Sequence, residues 1–331
     1  MNPGYNRFDL FLKKAEEQMA VAAKETNPAL WLLHNNGRTP FFMLEALAKL
    51  YSSLHNEKKF DKLKERFKAV EDALGAMDYY DFFCKEFTGM PLVPGQCKDY
   101  LQGMLREKTE KLNEILKEEG WIGEEANRIL KIRKKLEDID WLKEKKEMKA
   151  ILEFYGDSIK EIIQFYAAAK NGFTELEAEV HEIRRKLRWL SIYPQALQGA
   201  IQLTDNGLAD EKTVKYLTEE IIHSSYNKMP DAGGNTNLLL LEKKYFYALS
   251  WMINELGLQK DKGLGIYILA EALEQTEGLP HADALKKACE ILLNDANALQ
   301  HILDHSNEIC KSYFEEGNLF KLISGLATSA S

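Results

Sequence analysis

The sequence predicts an all-α fold, and two observations carry that prediction. Apolar residues recur at intervals of three and four along nearly the whole chain, and alternating strand-like runs bounded by glycine or proline are missing. At 331 residues, 45% of them hydrophobic, the chain can build two helical bodies, each with its own core. They are expected as two bundle-like halves, 1–170 and 171–331.

The elements follow in order. A first amphipathic helix is expected near 7–25. Thr39 followed by Pro40 gives a capping residue and a proline at the first helical position, which opens the helix PFFMLEALAKLYSSL. Segments near 59–76, 78–88, 97–119, 123–138 and 141–169 follow, with GMPLVPGQ (89–96) as loop punctuation. Asn171-Gly172 is a helix stop, and Thr174 with Glu177 forms a capping-box pattern, so a long helix is expected from about Glu175 to 204. Pro194 inside it removes the hydrogen bond to Leu190 and should bend the axis. Further helices are expected near 211–226, 237–256, 265–276, 283–293 and 296–316. NKMPDAGGNTN (227–237) is a loop, and the tail SGLATSAS should fray.

A formal net charge of -8 argues against broad nucleic-acid binding, which needs a basic footprint to displace counterions. The Lys- and Glu-rich stretch Lys98 to Lys149 interleaves both signs and reads as solvated helix faces. Aromatics such as those of DYYDFFCKEF stand at helical spacing and read as core. Cys84, Cys97, Cys289 and Cys310 form no CxxC pair and read as buried thiols of a reducing cytosol. No uncharged run approaches the ~20 apolar residues that span a bilayer, and MNPGYNRFDLF lacks the pattern of a signal peptide. The expectation is a cytoplasmic protein with no membrane partner.

Catalytic signatures are missing: there is no G-x-S-x-G, HExxH, P-loop, or GxGxxG after a strand. The expectation is therefore a non-enzymatic protein with no cofactor. A catalytic reading would first require a carboxylate with a raised pKa in a cavity. His301 and His305 stand at i, i+4 with Glu308 one turn on, but a third strong ligand is lacking, so no metal is expected. Gly233-Gly234-Asn235-Thr236, before an expected helix, could offer backbone N–H groups to an anion and reads as an ordinary connection.

The feature that points to function is VHEIRRKLRWL, from Val180 to Leu190. At 100° per residue, His181, Arg184, Arg185 and Arg188 share one face, opposite Leu176, Ile183, Leu187 and Leu190. That face covers about two turns, on the order of 10 Å, comparable with a short run of phosphates. Arginine forks suit phosphate oxygens, and histidine adds a donor as pH falls. The same residues also fit a solvated helix, since Glu177 and Glu182 are close in sequence, or pairing with acids of neighbouring helices. An echo of the segment lies upstream. LLHNNGRTPFFMLEALAKLY followed by DALGAMDYYDF matches, in order, VHEIRRKLRWLSIY followed by NELGLQKDKGL, which suggests a duplicated helical unit. His34 to Gly75 spans 41 positions and His181 to Gly257 spans 76, so the second copy would carry an insertion, placed around Pro230 to Thr236.

HEIRRKLRWL resembles the opening helix of CHAD domains, the conserved-histidine α-helical domains, with His181, Arg184, Arg188 and Leu190 at the characteristic places. LGLQKD (Leu256 to Asp261) resembles the family's LG-x-x-basic-Asp element, and LGAMDYYD (Leu74 to Asp81) is a weaker version. The resemblance implies two pseudosymmetric four-helix bundles and a basic groove between them that binds inorganic polyphosphate or related phosphate-rich anions without catalysis. The expected site residues are His181, Arg184 and Arg188 from the motif and Arg185 from the same helix face, with His34 and Arg38 from the first copy and Lys260 from the LGLQKD turn. The first copy departs from the pattern: Asn35, Asn36 and Gly37 interrupt its helix, and Met43, Leu44 and Glu45 stand where further cations are expected. The opposing expectation is an acidic helical scaffold for a protein partner, with the anion site lost.

Overall fold

Helix dominates the chain, as the three-and-four spacing requires. The computed structural model describes residues 2–124, 126–170, 172–207 and 211–328. In chain order its helices are α1 (Pro3–Ala22), α2 (Pro28–His34), α3 (Arg38–Leu54), α4 (Glu57–Thr88), α5 (Gly95–Glu118), α6 (Arg128–Glu137) and α7 (Glu144–Ala168). Then come α8 (Glu182–Ala196), α9 (Glu211–Val214), α10 (Glu219–His223), α11 (Lys243–Glu277), α12 (His281–Leu293) and α13 (Ala298–Glu315). Two compact units divide the chain, Met1–Trp141 with Gly265–Ala296, and Leu142–Leu264 with Asn297–Ser331. The division falls inside α11.

The N-terminal unit is built on the α3–α4 hairpin. Asn35-Asn36-Gly37 breaks the chain as expected: α2 ends at His34, and Asn36 takes a left-handed φ of 57°. Thr39 is not the cap, because the helix already starts at Arg38 with Gly37 before it. The stretches expected as two helices, 59–76 and 78–88, form one, since a lone glycine inside a well-packed helix costs only about 1 kcal/mol. Phe8, Tyr51, Phe60 and Trp141 pack ring against ring, with Tyr51 edge-on to Trp141 at 5.3 Å between centroids. Within the DYYDFFCKEF segment, Tyr80, Phe83 and Phe87 are buried as expected of core residues, whereas Tyr79 is half-buried and Phe82 is exposed.

The C-terminal unit corrects the all-α expectation. Three strands, β1 (Ile201–Thr204), β2 (Asn237–Glu242) and β3 (Ile323–Thr328), form a mixed sheet in the order β1-β2-β3. The β1–β2 pair is parallel, with Ile201 opposite Leu239, and β2–β3 is antiparallel with an irregularity between Leu240 and Leu241. The misreading has a physical origin. Leu238 to Leu241 is a continuous apolar run in the central strand, and periodicity cannot tell such a run from a buried helical turn. The helix expected over 237–256 therefore starts at Lys243, the one expected to 204 stops at Ala196, and Ile323–Thr328 pairs with β2 instead of fraying. Asn171 of the expected helix stop and residues 329–331 of the tail lie outside the described residues.

Local chemistry sets these boundaries. The loop containing Gly233 and Gly234 precedes a strand, and Glu144 at the start of α7 accepts the Thr236 and Asn237 N–H groups at 2.6 and 2.7 Å. Its partial burial works against ionisation, yet these donors hold the Glu144 carboxyl below its usual range. Before α8 the chain makes a π-helical turn over Leu176–His181. The wider turn moves the capping carboxylate from Glu177 to Glu179, which accepts the Thr174 and Glu175 N–H groups at 2.6 and 2.8 Å. Pro194 lies inside α8, and the Leu190 carbonyl that it leaves without a helical donor accepts the buried Tyr155 hydroxyl at 2.7 Å.

Candidate functional site in the C-terminal unit

The cationic stripe occupies the π turn and the first half of α8. Ile183, Leu187 and Leu190 are buried, which aims the opposite face of the helix outward as the helical wheel predicts. His181 Nδ1 lies 3.4 Å from Glu177 Oε1, Arg185 pairs with Glu182 at 2.5 Å, and Lys186 reaches the same carboxylate at 3.6 Å. The partners are thus on the same helix, one turn away, rather than on a neighbouring rod. The His181 hydrogen bond, opposed by partial burial and assisted by the charges of His181 and Lys260, holds the Glu177 carboxyl below its usual range. Lys260 pairs with Asp261 at 2.6 Å.

Arg184 differs from the rest of the stripe. Its guanidinium lies flat against α11, over Gly257: a Cβ built on that glycine would come 3.0 Å from Nη2 and 3.1 Å from Nε. Nε donates to the Ile253 carbonyl at 3.0 Å, and among the described residues Arg184 makes no ion pair. Burial, and then the charge of Arg188, weaken its hold on its proton, while Asp261 acts in the opposite sense from a distance. Arg184 is therefore held beside an α-helix backbone, with the charges of Arg188 and Asp261 acting on it in opposite senses.

The N-terminal unit repeats the geometry with different surroundings. Arg38, the first residue of α3, lies over Gly75 of α4, where an added Cβ would meet Nη2 at 2.6 Å. Its Nε donates to Glu71 Oε1 at 2.7 Å, and Nη1 is 3.5 Å from Asp78. In both units the acceptor for Nε sits four residues before the glycine, as a buried side-chain carboxylate at Glu71 and as a backbone carbonyl at Ile253. Glu45, from the next turns of α3, is 6% exposed. Burial first, and then the charge of Glu71, push its carboxyl up to about 7. His34 is exposed at the end of α2.

Of the residues singled out by sequence, His181, Arg184, Arg185, Arg188 and Lys260 belong to the C-terminal unit, and His34 and Arg38 to the N-terminal one. Sequence reasoning marked both LG dipeptides but not their role as flat beds for arginine, nor Glu71 and Ile253. A signal existed: a residue four before the glycine shares its helix face. Elsewhere, His305 lies 3.6 Å from Glu308, and no cluster of three or more His, Cys, Asp or Glu suited to a metal occurs among the described residues. Two surface cavities, one lined by Lys212, Lys311 and Glu316 and one by Tyr166, Phe314 and Phe320, include neither Glu45 nor any residue of the stripe. No described helix is long and apolar enough to cross a membrane.

No protein-family model matches this chain, and no curated protein matches it either.

Proposed function

We propose that the C-terminal unit binds a phosphate-rich anion such as inorganic polyphosphate, non-catalytically, at Arg184 and Arg188, with His181, Arg185 and Lys260 extending the contact. The observation that carries this reading is Arg184, a half-buried guanidinium fixed over Gly257 beside a second guanidinium and satisfied only by a backbone carbonyl among the described residues. A desolvated cation next to another cation is costly by itself, and a bidentate oxyanion relieves the repulsion while taking up the Nη donors of Arg184. Two of the ion pairs along the stripe, His181–Glu177 and Lys260–Asp261, are easily displaced, whereas the Glu182 carboxylate that holds Arg185 and Lys186 is only 25% exposed. The side chains of Glu177 and Asp261 are 62% and 53% exposed, and exposed pairs of this kind are worth about 0–1 kcal/mol, less than a polyanion offers.

The duplication suggested by sequence belongs to the same proposal, supported by the repeated packing of arginine over glycine. The opposing reading, an acidic scaffold for a protein partner, is favoured by the carboxylates already beside His181, Arg185 and Lys260. Titration with inorganic polyphosphate at two salt concentrations separates the two. Anion binding predicts an affinity that weakens as salt rises and drops at least tenfold in Arg184→Ala/Arg188→Ala. Absence of heat at low salt would leave the scaffold.

A further inference from the structure

Resting on that reading, we infer that the N-terminal unit holds a second, closed copy of the anion site, in which the Glu71 carboxylate stands in for a phosphate-type oxyanion against Arg38. The chain would then take up one anion, through Arg184, and not two.

Three observations support this. The bed is alike in both units: an arginine near the start of one helix lies on a glycine of another, α3 on α4 and α8 on α11, after a buried leucine, Leu74 or Leu256. The acceptor differs in kind. Ile253 offers a carbonyl that takes one N–H and leaves the Nη groups of Arg184 to an incoming ligand, whereas Glu71 brings a full negative charge to Arg38 and Asp78 adds a second. The burial of the partner also differs. The Glu71 side chain is 7% exposed, against 53% for Asp261, the carboxylate nearest in field to Arg184. Displacing a surface partner costs little, while separating a buried carboxylate from its arginine leaves an uncompensated charge inside the protein.

Glu45 fits the same arrangement. The charge of Glu71 acts on Glu45 as well as on Arg38, and Asp78 lies 3.5 Å from the same guanidinium, so an additional anion would meet carboxylates rather than an unscreened cation. This region is where the sequence places Met43, Leu44 and Glu45 instead of cations.

The test counts sites. Isothermal titration of the whole chain with inorganic triphosphate should give one site in the wild type, lost in Arg184→Ala. In Glu71→Gln the count should rise to two, with the new site removed by adding Arg38→Ala. A single wild-type site and an unchanged single site in a folded Glu71→Gln would overturn the inference while leaving the proposed function standing. No wild-type site would overturn both. Should Glu71→Gln fail to fold, the wild type still decides by nitrogen-15 spectra of the arginine Nε–H groups during the same titration. The Arg184 resonance should move and that of Arg38 stay fixed, and a comparable shift of Arg38 would refute the closed site.

Discussion

Gly257→Ala isolates the geometry on which anion binding depends. The new methyl would stand 3.0 Å from Arg184 Nη2, 3.1 Å from Nε and 3.4 Å from Cζ, closer than carbon and nitrogen pack in comfort. The obstacle is the end of a flexible side chain, so the guanidinium swings away and the helix stays. Alanine in a helix interior is favoured over glycine by about 1 kcal/mol, and losing the hydrogen bond from Arg184 to Ile253 costs roughly 0.5–1.5 kcal/mol. These oppose each other, and the melting temperature should change by only a few degrees. Affinity has no such compensation. A charge-assisted hydrogen bond to the ligand is worth about 1.5–3 kcal/mol, so triphosphate or polyphosphate affinity should fall roughly 10- to 150-fold. Thermal unfolding and calorimetric titration of the same preparation give both numbers. Undiminished affinity in a folded Gly257→Ala would show that the placement of Arg184 over the glycine has no part in binding.

Other outcomes follow from single contacts. Glu45, protonated in the fold up to about pH 7 and released near pH 4.3 when unfolded, gives stability that is fully present below about pH 4.3 and is lost as pH rises through 7. The charges facing it are Glu71 and Asp72, which raise its pKa, and Lys68 and Lys49, which lower it. Denaturant titrations should show a decline on the order of 3 kcal/mol across that window in the wild type, absent in Glu45→Gln; an equal decline in both would place its origin elsewhere. Tyr155→Phe removes the donor to the Leu190 carbonyl and should cost about 1–3 kcal/mol, read as a lower denaturation midpoint with an unchanged slope. Gly199 has a φ of 84°, and a Cβ there would collide with the Asp231 carbonyl oxygen. Gly199→Ala should therefore cost at least about 2 kcal/mol, and a neutral effect would contradict the described turn between α8 and β1.

The helices were legible because most of them are amphipathic and long, and their interiors needed only the spacing of residues such as Ile183, Leu187 and Leu190. The sheet was not. β2 is apolar on both faces, β1 has four residues, and β3 carries Gly325 and Ala327, so none offers clean alternation. The capping carboxylate before α8 was misassigned by two positions because a π turn, which sequence spacing does not announce, advances its register. At the site, one helical wheel placed the cations on a common face, and the paired LG dipeptides stood out as an echo, though not as the beds on which the two arginines lie. The difference between the units was not legible. It depends on burial of Glu71 and on a backbone carbonyl at Ile253, and a carbonyl has no sequence signature.

The most direct measurement is a crystal structure of the chain grown with inorganic triphosphate. Phosphate oxygens within hydrogen-bonding distance of both the Arg184 and Arg188 guanidiniums, with Arg184 still lying on Gly257, are the predicted result. Triphosphate bound only at other cations, or a stripe unchanged and unoccupied at saturating ligand, would contradict it.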